Sequence, residues 1–331
     1  MPELRGTVGG PVVTEWFGTQ DLYKLDVYKQ KGGYAALRKA MVDMKPVDIT
    51  NEVKTSGLRG RGGAGFATGT KWSFIKRDAP GPKYVVVNAD ESEPGTSKDR
   101  YILENSPHML VEGILIAAYA VGANQAWVYI RGEYDEPHRM LSEAIEEARA
   151  KGYIGPQPMG KDYPLDIRLY RGHGAYICGE ETALLESLEG KRAQPRSRPP
   201  FPAVKGAWGR PTLLNNVETL ATVPWIINQG GAAYRLLKFY AFESCGKCTP
   251  CRIGGDWAVR TYERILANEG SQVEIDTLLR VSDGLQNGRC LCGLGDSAGW
   301  VIDSTFRHFR EEYEDHALRH ECNVGAVTAR A

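Results

Sequence analysis

The chain has no excess of charge. Lysine plus arginine and aspartate plus glutamate each number 41 among 331 residues. That balance argues against nucleic acid or an anionic membrane surface as the partner, because both would demand a net basic face. Long apolar runs are also missing. The longest, Ile114-Leu-Ile-Ala-Ala-Tyr-Ala-Val121, falls far short of the ~20 residues of a membrane span. The start, Met1-Pro-Glu-Leu-Arg, lacks the basic and apolar segments of a secretory signal. Seven cysteines are an odd number, and they gather late in the chain. A secreted disulfide framework is therefore disfavoured, and a reducing cytosol fits. No internal repeat or long low-complexity tract interrupts the pattern. At this length the chain is expected to fold as two or three domains around a sizeable core.

What is present begins with three of those cysteines, Cys245, Cys248 and Cys251, in Glu243-Ser-Cys-Gly-Lys-Cys-Thr-Pro-Cys-Arg252. Two CxxC steps share their middle member, which crowds three thiolates into one turn. That suits one face of an iron–sulfur cubane better than a tetrahedral zinc ion, which more often draws on two separated pairs. A cubane needs a fourth thiolate, and Arg289-Cys-Leu-Cys-Gly-Leu-Gly-Asp296 offers Cys290 and Cys292. Structural zinc and plain buried or redox thiols are the competing readings. Cys178 lies in an apolar stretch and reads as a packed small residue, and Cys322 as a free thiol in a polar tail. His108, His138, His308, His316 and His320 read as surface residues. His173 alone makes no metal site.

The pattern of strands and helices predicts an α/β fold, a doubly wound and mostly parallel sheet, followed by a small helical domain. Residues 1–45 read as an irregular arm with a short helix near 34–44. Pro46–Ser56 reads as a helix stopped by Gly57. Strands are expected at Lys83–Asn88, Ala126–Ile130 and Leu165–Tyr170, with helices from Pro107 to Gly122, Glu136 to Ala150, about Glu180 onward, and 216–228. A proline-rich connection fills 195–211. Helices are expected at 252–268, 273–285 and 297–313. The resulting boundaries are an arm at 1–45, an α/β domain at 46–235 and a helical cluster domain at 236–331.

Between the first helix and first strand lies Gly57-Leu-Arg-Gly-Arg-Gly-Gly-Ala-Gly65. Its Gly-x-Gly-x-x-Gly is no dinucleotide fingerprint, since a helix rather than a strand precedes it. Glycines still let backbone N–H groups approach a phosphate or a flat ring, and Arg59, Arg61 and Lys71 add positive charge. Two acidic runs, Asn88-Ala-Asp-Glu-Ser-Glu-Pro-Gly95 and Gly174-Ala-Tyr-Ile-Cys-Gly-Glu-Glu-Thr182, follow expected strands. Ligands of doubly wound folds sit at strand carboxyl ends. Carboxylates there accept hydrogen bonds from sugar hydroxyls and amides. The combination suits a nucleotide.

Five motifs in order now resemble one family. They are 56–66, 88–95, 174–183, Asn215-Asn-Val-Glu-Thr219 and 243–252. Together they are similar to the NADH-binding flavoprotein subunit of respiratory complex I, a module also used by NAD-reducing hydrogenases and NAD-linked formate dehydrogenases. The resemblance implies FMN and one [4Fe–4S] cluster as cofactors, NADH as substrate, and hydride transfer followed by single-electron transfer to partner subunits. It implies that Gly60, Arg61, Gly62, Gly63, Lys71, Asn88, Asp90, Glu91, Tyr176, Gly179, Glu180, Asn215, Asn216 and Thr219 form the flavin pocket. Phe66, Phe74, Glu93, Glu181 and Phe201 are implied for NADH. Cys245, Cys248, Cys251 and Cys292 are implied as cluster ligands, with no side chain acting as acid or base. A thioredoxin-like [2Fe–2S] subunit and a further iron–sulfur subunit are the implied partners, on the peripheral arm of a membrane complex facing the cytoplasm. A diaphorase subunit is the alternative within the class. The lack of an N-terminal cluster-binding extension favours complex I. A non-catalytic scaffold holding zinc is the alternative outside it. Three departures stand out. Ala67 replaces a usual proline, Arg198 stands where a lysine is frequent, and the family's small β-grasp domain is missing at the Tyr234-Arg235/Leu236-Leu237 junction.

Overall fold

A computed structural model describes residues 12–229, 237, 240–266 and 269–320. The chain divides into two compact units, Val12–Gly230 and Gly231–Ala331. The junction at 234–237, Cys322 and residues 1–11 lie largely or wholly outside the described residues.

The first unit is built on four short strands: β1 (Tyr84–Ala89), β2 (Gln125–Ile130), β3 (Asp166–Arg171) and β4 (Thr212–Asn216). All pair in parallel, in the order β3-β2-β1-β4. Parallel strands covered on both faces bury successive positions rather than every second one, as β1, β2 and β4 do, whereas β3 at the edge buries only Ile167. Here Val85, Val87, Ala126, Val128, Ile167 and Leu213 enter one core. Val86, Tyr129 and Leu214 enter a second, smaller core on the opposite face.

The larger core is covered by α6 (Pro107–Val121), α7 (Asp135–Ala150) and α10 (Val217–Gln229). Proline opens α6, where a missing N–H costs nothing, and Gly122 closes it at φ 76°. Every residue of α6 is buried. The smaller core takes Leu184, Leu185 and Leu188 of α8 (Glu181–Leu188). Short helices α3 (Pro46–Thr55), α4 (Thr68–Ser73), α5 (Lys98–Asn105) and α9 (Pro202–Lys205) flank the loops that matter below.

Two expectations need correction. The first 45 residues are not an irregular arm where they are described. Helix α1 (Leu25–Gln30), helix α2 (Ala35–Arg38) and the helical turn Lys39–Asp43 that follows send Leu25, Tyr28, Leu37 and Met41 into the main core, the last two elements answering to the short helix expected near 34–44. Buried Glu112 fastens this segment by accepting from the Tyr28 hydroxyl (2.6 Å) and from the backbone N–H groups of Tyr34 and Leu37 (both 2.9 Å). Its burial pushes its carboxyl pKa up, against those hydrogen bonds. Secondly, His108 is not a surface residue. It is fully buried, with Nδ1 3.0 Å from the Tyr34 hydroxyl and Nε2 3.1 Å from Glu147. A neutral ring with its proton on Nε2 satisfies both contacts, and burial pushes its pKa down. His316 is buried as well.

In the second unit, helices Gly255–Leu266, Gln272–Leu285 and Gly293–Glu314 pack around Tyr262, Ile275, Leu278, Leu285, Ile302 and Phe306. Cys251 and Cys290 belong to this core.

Candidate functional site

The sheet order places β1 between β2 and β4, and the chain crosses from the β3 edge to the far side of β1. That is the switch point at which doubly wound folds open a crevice. The glycine loop stands at this crevice. It is closed at its neck by an antiparallel bridge between Arg59 and Ala67, with Gly60 N–H donating to Phe66 O at 2.8 Å. Gly63 (φ 111°) and Gly65 (φ 63°) occupy left-handed backbone that favours glycine. The Arg59 Nε donates to Gly65 O at 2.6 Å, which stiffens the loop.

The loop meets β4 and α10 directly. Arg61 N–H donates to Thr219 Oγ1 at 2.9 Å, 158 residues away in sequence. A Cβ on Gly62 would come within 3.2 Å of the Asn216 Cβ. Trp72 of α4 is buried and donates from Nε1 to Asn215 Oδ1 at 2.9 Å. Behind this wall, Lys98 bridges Asp99 (2.6 Å), Glu218 (3.1 Å) and Asn216 Oδ1 (3.1 Å). Asn216 donates in turn to Asp99 at 2.6 Å. The end of β1 reaches the third segment, as Asn88 Nδ2 donates to Gly179 O at 2.9 Å. Asn88 Oδ1 accepts from Asp90 N–H at 3.1 Å, and burial raises the Asp90 carboxyl pKa.

A row of alternating charges follows. Lys71 pairs with Glu181 at 2.8 Å, Glu181 with Arg198 at 2.8 Å, and Arg198 with Glu180 at 2.9 Å. Each carboxylate divides its oxygens. Glu180 uses Oε2 to cap α8, accepting from Thr182 and Ala183 N–H, and keeps Oε1 for Arg198. Glu181 gives Oε2 to Lys71 and Oε1 to Arg198. The planar guanidinium can span two carboxylates in this way, which an ammonium group does less well. Nearby, the Tyr176 hydroxyl donates to Glu93 at 2.6 Å. Phe66 and Phe74 lie with centroids 6.0 Å apart and are about half exposed, as is Phe201 at the start of α9.

Hydrogen bonds and ion pairs thus bring together Gly60–Lys71, Asn88, Asp90, Gly179, Glu180, Glu181, Asn215, Asn216 and Thr219. Glu91 has an internal role in addition to any other. It is buried and caps α5, accepting from Asp99 N–H (2.9 Å), Arg100 N–H (3.0 Å) and the Tyr134 hydroxyl (3.0 Å). Trp72, Lys98 and Asp99 escaped sequence reasoning. Their crevice partners Asn215 and Asn216 lie over a hundred residues away, and no local pattern marks them.

The residues fit a flavin mononucleotide. The loop carries Arg61 and is exposed over residues 61–64, and a Cβ at Gly63 would meet no atom within 4 Å, which leaves room for a phosphate beside it.

In the second unit, Cys245 and Cys292 are exposed, Cys248 is half-buried, and Cys251 and Cys290 are buried. Cys251 Sγ lies 3.3 Å from Ser244 Oγ, and Leu291 N–H donates to Cys248 Sγ at 3.3 Å. The segment carrying the last two cysteines therefore sits beside the CxxCxxC turn. Burial pushes the Cys290 thiol pKa up, and the neighbouring Cys251 and Cys248 add to that. Among the described residues no three or more His, Cys, Asp or Glu side chains converge on one ion-sized point. The donor set is nevertheless all sulfur, with N–H groups aimed at it, which is the chemistry of an iron–sulfur site.

Two family models divide the chain at the same place. The Nuo51 FMN-binding domain matches residues 53–225, and the NADH-ubiquinone oxidoreductase-F iron-sulfur binding region matches 231–316. An NADH-quinone oxidoreductase subunit of Rhizobium meliloti is 38% identical, covering 94% of this chain and 99% of its own length. The corresponding NADH-quinone oxidoreductase subunit of Aquifex aeolicus is 38% identical, covering 89% and 92%. The Rhizobium alignment runs over 416 positions, more than the 331 residues here, so that relative carries residues with no counterpart in this chain. Among solved structures, an NAD+-reducing [NiFe]-hydrogenase in the H2-reduced state matches with TM-score 0.56 and 29% identity, over 95% of this chain and 67% of that one. On the matched models, the shared motifs and the crevice that unites them, this chain belongs to the Nuo51 FMN-binding family, with FMN and a [4Fe–4S] cluster as its cofactors and NADH as its substrate.

Proposed function

We propose the following division of labour in this NADH dehydrogenase subunit. Residues 46–235 bind FMN and NADH, and residues 236–331 hold the cluster. When bound, FMN accepts a hydride from NADH and the cluster carries its electrons onward singly. The glycine loop, Arg61 and Lys71 hold the flavin phosphate. Asn88, Asp90, Gly179, Asn215, Asn216 and Thr219 hold the ring and ribityl chain, with Glu91, Tyr176 and Glu180 framing them. Phe66, Phe74 and Phe201 stack on the nicotinamide nucleotide, and Glu93 and Glu181 accept from its hydroxyls and amide. Cys245, Cys248, Cys251 and Cys292 are the cluster ligands. No side chain moves a proton in the hydride step, so the protein's contribution is position, charge and exclusion of water.

Electrons leave to a thioredoxin-like [2Fe–2S] subunit and a further iron–sulfur subunit, on the peripheral, cytoplasmic arm of a membrane complex. Among the described residues no helix is long and apolar enough to cross a membrane, so attachment through partners suits the chain. The likeness to the hydrogenase supports a second reading, a diaphorase subunit, with the same site chemistry and a different final donor or acceptor.

The observation that carries the proposal is the joining of four sequence-distant segments in one crevice through the Arg61–Thr219, Asn88–Gly179 and Lys71–Glu181 contacts. The test is the visible spectrum of the anaerobically purified protein, before and after NADH. Flavin and iron–sulfur bands that bleach with NADH are expected. A colourless protein would indicate a zinc-holding scaffold instead.

A further inference from the structure

Among the described residues the second unit holds five thiols, Cys245, Cys248, Cys251, Cys290 and Cys292, whereas a cubane uses four. With Cys292 as the fourth ligand, Cys290 is left over. Its setting is not that of a bystander. It is 7% exposed and shares a core with Cys251. The Cys251 N–H donates toward its sulfur, and Cys248 packs against the same core. The next residue's N–H, from Leu291, donates to Cys248 Sγ at 3.3 Å. Space for the sulfur is provided by Gly295, where a Cβ would fall 2.5 Å from Cys290 Sγ. Leu291 is 80% exposed and Cys292 is exposed too, so the turn directs Cys290 inward and its two successors outward.

The bland alternative is a packing role, since a free cysteine behaves as a small apolar side chain. Packing alone does not call for two neighbouring thiols and donated N–H groups on the same few atoms. Hydrogen bonds to sulfur are among the features by which a protein tunes an iron–sulfur site.

We propose that Cys290 is a reserve cluster ligand, able to supply the fourth thiolate when Cys292 cannot. The inference rests on the cluster assignment proposed for Cys245, Cys248, Cys251 and Cys292. In the exchange, the Cys290 S–H bond would break with its proton going to solvent and its sulfur would bond the iron, while Cys292, where present, would leave that iron as a thiolate and take up a proton. No iron changes oxidation state, so no outside oxidant or reductant is involved.

The test compares Cys290→Ala, Cys292→Ala and the double variant in the full chain, purified anaerobically. Iron and sulfide are counted, and paramagnetic resonance is recorded before and after dithionite. Flavin absorbance reports that the first unit has folded. Both single variants are expected to keep about four irons. Reduced Cys292→Ala should give a four-iron signal with shifted g-values. The double variant should fall to a three-iron signal seen without reduction, or to no iron. The proposal is overturned if Cys292→Ala alone gives the three-iron signal or none. It is equally overturned if the double variant keeps four irons, or if Cys290→Ala alone loses them. Cys292→Ser serves in place of the alanine variant if that chain does not accumulate. A wild-type chain with flavin but no iron would instead undo the underlying cluster assignment.

Discussion

The two units prepare their sites differently. In the first, the crevice is already wired by its own side chains. Asn215 is held by Trp72, Asn216 by Asp99 and Lys98, and Glu181 by Lys71 and Arg198. In the second, two of the five thiols are exposed, Cys251 and Cys290 are buried in the core and Cys248 packs against it. A preformed pocket binds its ligand with little further ordering cost. A set of separated thiols is gathered by the metal, so binding and folding become one process. The flavin unit should therefore tolerate loss of the cluster, while the cysteine unit should not.

The largest effect tests that contrast directly. Cys248→Ser removes the central ligand of the turn and is expected to abolish the cluster's absorption while FMN stays bound. NADH should still bleach the flavin, and electron transfer to partner subunits should cease. Flavin lost together with the cluster, in an otherwise folded chain, would falsify the independence of the two units. Next comes Gly62→Val, which drives a branched side chain at Asn216, already 3.2 Å from a single added Cβ. Overpacking costs roughly 1–3 kcal/mol, so FMN affinity should fall by about tenfold or more. Flavin titration of the apoprotein measures it, and unchanged affinity would mean that the loop does not face the cofactor.

A subtler effect concerns nucleotide choice. If Glu181 accepts from the adenosine ribose, a 2′-phosphate would bring like charge against it, about 4 kcal/mol at ~4 Å in an intermediate dielectric. Lys71 and Arg198 already offset part of that charge. Glu181→Gln frees both cations for the phosphate, so kcat/KM for NADPH relative to NADH should rise by roughly tenfold. Steady-state kinetics with both nucleotides decide the matter, and an unmoved ratio places Glu181 away from the ribose.

The smallest effect lies far from the crevice. His108 is held below its ordinary pKa of 6.5 by burial. A depressed folded-state pKa contributes stability above the unfolded value, and that contribution is lost as pH falls below 6.5. Glu112, raised by burial from 4.5, has the opposite sense, since its cost grows as pH rises above that value. His108→Gln removes only the first term. Its Tm should drop less than the wild type's between about pH 7.5 and about pH 5.5, although it starts a few degrees lower. Parallel Tm curves in calorimetry would show that His108 is not the group responsible.

Where the sequence was legible, local pattern carried it. The helix after Pro107, the apolar runs of β1 and β2 and the shared-cysteine turn all announce themselves within ten or fifteen residues. The motif residues of the crevice were legible through resemblance rather than through physics, because their meeting is nonlocal. Strand β4 escaped for that reason. It is five residues long, follows directly on Pro211, and becomes a strand only by pairing with β1. His108 escaped likewise. A histidine in a helix reads as solvent-facing until Tyr34 and Glu147, 74 and 39 residues away, supply its partners. Glu91 shows the reverse case. A motif assigned it to the cofactor, and the fold also uses it to cap α5.

The late arrival of β4 has a consequence for synthesis. Arg61 in the glycine loop waits for Thr219, 158 residues further on, before its N–H finds its acceptor. At roughly 5–20 residues per second that interval is about 8–30 s on the ribosome. Through it, the glycine loop exists without the wall it will face, and flavin has only part of a crevice to enter. Flavin loading then belongs to the end of translation of the first unit, after β4 has slotted in beside β1. Ribosome-bound chains halted before residue 212 should accordingly retain no FMN, and chains halted well beyond residue 229 should retain it. Flavin held by the shorter chains would show that the cofactor itself recruits the last strand.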